Sequence, residues 1–150
     1  MGGHVVRTAV ERAGLDAGRV DDVVMGAAAQ QGTQAYNLGR LCAIAGGLPE
    51  TTAGMTMDRQ CSSGLMAIAT AAKSIICNEY DVAVAGGLES ISLVQNKHKN
   101  NYRNVSKTLL EISPRAYIQM IETAEIVAER YGISRDAQDE YAYQSQIRTA

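Results

Sequence analysis

The chain has 150 residues, 46% of them hydrophobic and 20% charged, with a formal net charge of −2. That is enough chain for one domain with a real core, and too little charge of either sign to expect nucleic acid or an anionic membrane as a partner. Cys42, Cys61 and Cys77 are too widely spaced for a zinc set, His4 and His98 are isolated, and no apolar run approaches the ~20 residues of a membrane span, so neither a metal nor a bilayer is expected.

Val5, Val6, Ala9, Val10 and Ala13 recur at helical spacing, and Gly14 stops the pattern. Asp16–Arg19 reads as a polar turn, and Val20–Ala29, with Val-Val-Met, as a buried strand whose small residues after Gly26 signal close packing. Gln30–Tyr36 is a polar loop. Asn37 is placed to cap a helix over Leu38–Ala45, closed by Gly46-Gly47 and Pro49.

A strand-compatible stretch around Met55–Met57 leads into Gln60-Cys61-Ser62-Ser63-Gly64, and an Ala-rich apolar segment follows. Strand, tight turn and helix put Cys61 at a helix start, where the dipole and free N–H groups favour a thiolate nucleophile. Its own N–H would help to hold an oxyanion. A small cysteine that merely packs a helix start satisfies the same spacing. Leu65, Met66, Ile68, Ala69, Ala72, Ile75 and Ile76 cover most of a helix circumference, which predicts a buried helix.

Val82–Ala85, ending in Gly86-Gly87, has the look of a central strand in an α/β sheet. Strand ends in such sheets gather ligands, which brings Cys61 and Gly86-Gly87 to one crevice. The glycine pair either turns the chain or lets a substrate approach the backbone; Glu89 is a carboxylate capable of base work. Residues 92–115 read as a loop region, basic and Asn-rich through Lys97, His98, Lys99, Arg103 and Lys107. A solvated loop and a phosphate-binding strip both fit it. Tyr117, Met120, Ile121, Ala124, Val127 and Tyr131 outline a helix ended by Gly132, and Ser134 with Asp136 starts a last one.

Arg59-Gln60-Cys61-Ser62-Ser63-Gly64-Leu65, followed at the right interval by Gly86-Gly87-Leu88-Glu89-Ser90-Ile91-Ser92, resembles the thiolase family. Asn37-Leu38-Gly39-Arg40 fits that family's Asn-x-x-Arg, and Met120-Ile121-Glu122-Thr123-Ala124-Glu125 its Met-Gly-x-Thr-Ala-Glu, with Ile121 in place of glycine. The resemblance implies an α/β thiolase-like fold, here an incomplete N-terminal half with a mixed sheet packed between helices, and Cys61 as the residue that carries the acyl group. It implies that Gly86, Gly87 and Met120 contact substrate; Met120 as a core methionine is the other reading. In the family Glu89 belongs to the motif, and proton transfers fall to a histidine and a second cysteine.

The implied reaction is acyl-CoA C-acyl transfer through a cysteine acyl-enzyme, cleaving or forming a 3-oxoacyl-CoA, with CoA as substrate and no cofactor. The implied parent is a cytoplasmic homodimer in which Gly54–Asp58 meets the partner. The first strand and the whole C-terminal domain of the family, with its Gly-His-Pro and Cys-x-Gly segments, have no counterpart in the sequence. The isolated chain is therefore expected to be inactive and poorly soluble. A ketosynthase-type condensing enzyme usually enters the Cys-Ser-Ser turn through Thr-Ala-Cys, against Arg59-Gln60-Cys61 here. A non-catalytic thiolase-like subunit or interaction module is the alternative from another class.

Overall fold

The computed structural model describes Met1–Ala150, which divide into two compact units, Met1–Asn100 and Asn101–Ala150. In the first unit the order is α1 (Gly2–Arg12), β1 (Asp22–Gly26), α2 (Leu38–Ala45), β2 (Ala53–Met57), α3 (Ser63–Ile76), β3 (Ala83–Gly87) and α4 (Ile91–Val94). Short 3-10 turns at Ala17–Arg19 and Gly32–Gln34 lie in the connections.

The sheet has the strand order β2-β1-β3, with Gly26 level with Met57 on one side and Gly87 on the other. All three strands are parallel, in place of the expected mixed sheet. Parallel neighbours need a crossover, and α2 and α3 supply one after β1 and β2. The middle position belongs to β1 and not, as the apolar run Val82–Ala85 suggested, to β3. Val23, Val24 and Met25 are buried on both faces of the sheet: Val23 and Met25 pack with Val6, Val10, Leu38 and Ala43 of α1 and α2, while Val24 packs against Ala67 and Ala71 of α3. The residues of β3 are small and only partly buried, because no strand covers its outer edge within the chain.

Local signals place the ends of these elements. Gly14 takes φ +65° just after α1, a left-handed conformation that favours glycine. Asn37 caps α2 as expected, its Oδ1 accepting from the Arg40 N–H at 3.1 Å while its Nδ2 donates to the Gly54 carbonyl at 2.6 Å. The Arg40 guanidinium donates to the carbonyls of Thr52 and of Glu50, the latter at 2.8 Å, so Asn37 and Arg40 together brace α2 against the segment entering β2.

The prediction of a buried α3 fails on one side. Ser63, Ala67 and Ala71 are buried, yet Leu65 is 69% and Ile76 78% exposed. A three-stranded sheet covers only one face of this helix, however apolar the rest of its circumference.

In the second unit, α5 (Lys107–Ile112), α6 (Met120–Tyr131) and α7 (Arg135–Thr149) follow one another, and no residue is buried. The 92–115 region is thus not all loop. Part of α4 lies in it, and so does α5, whose cap Ser106 Oγ accepts from the Leu109 N–H and whose Ser106 N–H donates to the Tyr117 hydroxyl. Gly132, at φ +63°, ends α6, and Ser134 Oγ caps α7 by accepting from the Ala137 N–H at 3.2 Å.

Candidate active site

Cys61 sits where β2 turns into α3, one residue before the helix cap Ser62. The turn is held by its own side chains. Asp58 Oδ1 accepts from the Gln60 N–H at 2.7 Å, Ser63 Oγ accepts from Arg59 N–H at 2.8 Å and donates to the Gln60 carbonyl at 2.6 Å, and Ser62 Oγ donates to the Arg59 carbonyl at 2.9 Å. These bonds hold Gln60 at φ +50°, a left-handed conformation that costs a non-glycine residue about 1–3 kcal/mol. The reversal this produces leaves Cys61 exposed. The Ser62 hydroxyl is spent on Arg59 and the Ser63 N–H donates to the Gln60 carbonyl at 3.1 Å, so no side chain caps the first turn of α3 and its positive dipole end has no acidic partner in that turn.

Three glycines fit that helix start to the sheet. A Cβ on Gly26 would lie 2.3 Å from the Ser63 carbonyl carbon and 2.6 Å from the Gly64 N, and one on Gly87 would lie 2.9 Å from Gly64 Cα. The backbone of α3 therefore rests directly on the ends of β1 and β3. A cavity of about 480 Å³ opens in front of this contact, a volume in the range of small-molecule sites. Its walls are Ala27 and Ala28 after β1, Gln60 and Cys61 in the turn, Gly87, Leu88 and Glu89 at the end of β3, and Ile91 and Gln95 beyond.

The predicted site residues are thus partly brought together. Cys61 and Gly87 share the cavity; Gly86 is not one of its walls, and a Cβ there would meet nothing within 4 Å. Alternation along β3 sends successive positions to opposite faces of the sheet, so the pair cannot act as one. Met120 belongs to the second unit, 73% exposed at the start of α6. Lys97, His98, Lys99, Arg103 and Lys107 are all exposed, as a solvated stretch would be.

Glu89 does not point a free carboxylate at the thiol. Its Oε2 accepts from the Ala28 N–H at 2.8 Å and from the Ala29 N–H at 3.4 Å, and its Oε1 accepts from the Gln34 side chain. Gln34 is the residue that the sequence did not single out. It stands in what reads as a polar loop, yet it is 1% exposed, and nothing in the residues around it announces that.

The cavity walls include no imidazole and no second thiol. Cys42 is buried, which raises its thiol pKa against the opposing pull of the N-terminal amino group. Cys77 is exposed at the far end of α3. Nowhere do three His, Cys, Asp or Glu side chains gather as a metal site, and no helix is long and apolar enough to cross a membrane.

Comparison with known proteins gives the site its context. The family model described as "Thiolase, N-terminal domain" matches residues 1–150. The chain is 40% identical over 145 residues to the 3-ketoacyl-CoA thiolase of Bacillus subtilis, an alignment taking in 97% of this chain and 37% of that protein. It is 36% identical over 161 aligned positions to the acetyl-CoA acetyltransferase of Escherichia coli, covering 100% of this chain and 41% of that one. The crystal structure of the Bacillus anthracis acetyl-CoA acetyltransferase superposes with a TM-score of 0.72 at 38% identity, over 91% of this chain and 36% of that one. The chain therefore spans about two fifths of the length of the curated relatives it matches, and over that span it belongs to the thiolase family.

Proposed function

We propose that this chain is the nucleophile-bearing part of an acyl-CoA C-acyltransferase of the thiolase type. The observation that carries the reading is the position of Cys61: exposed, beside an uncapped helix start, and facing a cavity at the carboxyl ends of β1 and β3. Cys61 Sγ attacks the carbonyl carbon of an acyl thioester, the carbon–sulfur bond to CoA breaks, and CoA leaves with a proton. The acyl group then passes from Cys61 to the α-carbanion of acetyl-CoA, forming a 3-oxoacyl-CoA. In the cleaving direction Cys61 Sγ attacks the 3-oxo carbon of a 3-oxoacyl-CoA, the C2–C3 bond breaks, acetyl-CoA leaves with a proton on its α-carbon, and CoA takes the acyl group from the sulfur. CoA enters as a substrate rather than as a resident cofactor.

Gly87 gives the thioester close access to backbone on one wall. Met120 is a substrate contact on the strength of the match between Met120–Glu125 and the family's segment. The parent is a cytoplasmic homodimer meeting its partner through Gly54–Asp58; the free outer edge of β2 within the chain supports that assignment.

The chain by itself has no imidazole beside the thiol, and loss of a general base costs about 10²- to 10⁴-fold in rate. Steady turnover of acetoacetyl-CoA with CoA is therefore expected to be negligible, while slow acylation of Cys61 remains measurable. Incubation with acetyl-CoA followed by peptide mass spectrometry tests this. An acetyl group on the Cys61 peptide, lost in Cys61→Ala, is the expected result; acetylation spread evenly over Cys61 and Cys77 would overturn the assignment and favour a non-catalytic thiolase-like module.

A further inference from the structure

We propose that Gln34 and Glu89 form a positioning latch behind the cavity that fixes the wall facing Cys61 and so limits the size of the group that reaches its sulfur. The proposal rests on the reading of Cys61 as the residue that the cavity serves.

Gln34 is a fully buried amide with both N–H donors and its carbonyl oxygen engaged. Its Nε2 donates to the Ala29 carbonyl at 2.9 Å and to Glu89 Oε1, and its Oε1 accepts from the Ser90 N–H. Glu89 completes the link by accepting from the Ala28 N–H at 2.8 Å. One side-chain pair thus joins the connection after β1 to the connection after β3, between residues 55 positions apart. Ala28 and Glu89 are walls of the cavity, and Gln34 is not. Gln34 therefore acts through them, as a positioning residue.

A buried amide is tolerated only when it is satisfied, and a satisfied one holds a single orientation. N–H groups bonded to a carboxylate make stronger bonds than neutral pairs do. The peptide at Ala28 is consequently held in one place, where an unlatched loop between two strand ends would sample several. The same bonds occupy the Glu89 carboxylate with N–H donors, which separates a positioning role from a base role.

The test uses the whole 150-residue chain and two maleimides of one chemistry and different bulk, N-methylmaleimide and N-(1-pyrenyl)maleimide, with modification followed peptide by peptide. Cys77, exposed outside the cavity, is the internal reference, and protection of the buried Cys42 reports an intact fold. In the parent chain Cys61, a wall of the cavity, is expected to discriminate against the pyrenyl reagent more than Cys77 does. Glu89→Gln and Gln34→Glu should each reduce that discrimination. Gln34→Glu removes in addition the donor to the Ala29 carbonyl, so its loss of discrimination should be at least as large as that of Glu89→Gln.

Discrimination absent from the parent, or unchanged in both single variants with Cys42 protected, would overturn the latch. If Gln34→Glu exposes Cys42, the isosteric Glu89→Gln alone carries the test, and unchanged discrimination there overturns the proposal. The relative N-methylmaleimide rates of Cys61 and Cys77 test the nucleophile reading separately, so the two ideas fail by different measurements.

Discussion

Substituting Gly26→Ala probes the contact that seats the nucleophile turn on the sheet. The added methyl carbon would lie 2.3–2.6 Å from backbone atoms of Ser63 and Gly64, against about 3.5–4 Å for an unstrained carbon contact. The α3 start must therefore retreat by about 1 Å, a gap that forfeits a quarter to a half of the dispersion energy of the atoms it separates. No long side chain can absorb the shift, since Ala67 and Ala71 pack on Val24 with exposures of 0%, 4% and 0%. Overpacking of this kind costs about 1–3 kcal/mol, only partly offset by the 0.5–1 kcal/mol that alanine gains over glycine in a strand. A net loss of about 1 kcal/mol is expected. Gly86→Ala, whose methyl meets nothing within 4 Å, is the matched control and should be neutral or slightly stabilising. Urea unfolding followed by far-ultraviolet circular dichroism reads both. A Gly26→Ala midpoint equal to or above that of the parent, with an unchanged slope, would refute the claim that backbone contact there sets the geometry around Cys61.

Iodoacetamide at near-neutral pH should label Cys61 first, Cys77 more slowly by about 3- to 30-fold because the two lie at opposite ends of α3, and buried Cys42 hardly at all, with the first difference shrinking in high salt; equal rates at Cys61 and Cys77 would refute the electrostatic role of the helix start. Asp22 has a buried Oδ1 without a hydrogen-bond partner, and burial raises its carboxyl pKa above the ordinary value while the Val23 N–H partly opposes this. The folded state thus favours its protonated form, and the contribution to stability is present below the unfolded value of about 3.9 and lost as pH rises through the folded one. Asp22→Asn should therefore stabilise the chain at pH 7, with the difference vanishing below about pH 3.5, as denaturant titrations at both pH values would show. Thr52→Val should cost about 1–2 kcal/mol in the same assay, since the Thr52 hydroxyl, 1% exposed, donates to the Val20 carbonyl at 2.9 Å and leaves that acceptor bare when removed.

Several family-typical residues acquire a physical role in this chain beyond the chemistry of the sulfur. Asn37 and Arg40 hold α2 to the chain entering β2, and Glu89 is occupied with N–H groups of the β1 connection. The first pair acts at the entry to β2, whereas Glu89 ties together the connections after β1 and β3, where the cavity lies. The site is thus built on the sheet rather than on the turn alone.

The linear order of residues determined the alternation of strand and helix, the caps at Asn37 and Ser134, the glycine stops at Gly14 and Gly132, and the placement of Cys61 at a helix start. Those features are encoded within a few residues by periodicity, capping chemistry and backbone freedom, so they can be read locally. Only the tertiary structure decided that β1 lies in the middle, that α3 keeps an uncovered apolar face, that Gly87 but not Gly86 lines the cavity, and that Gln34 is buried against Glu89. Each of these depends on which distant segment comes to lie alongside, and a residue's own neighbours in the chain carry no record of that.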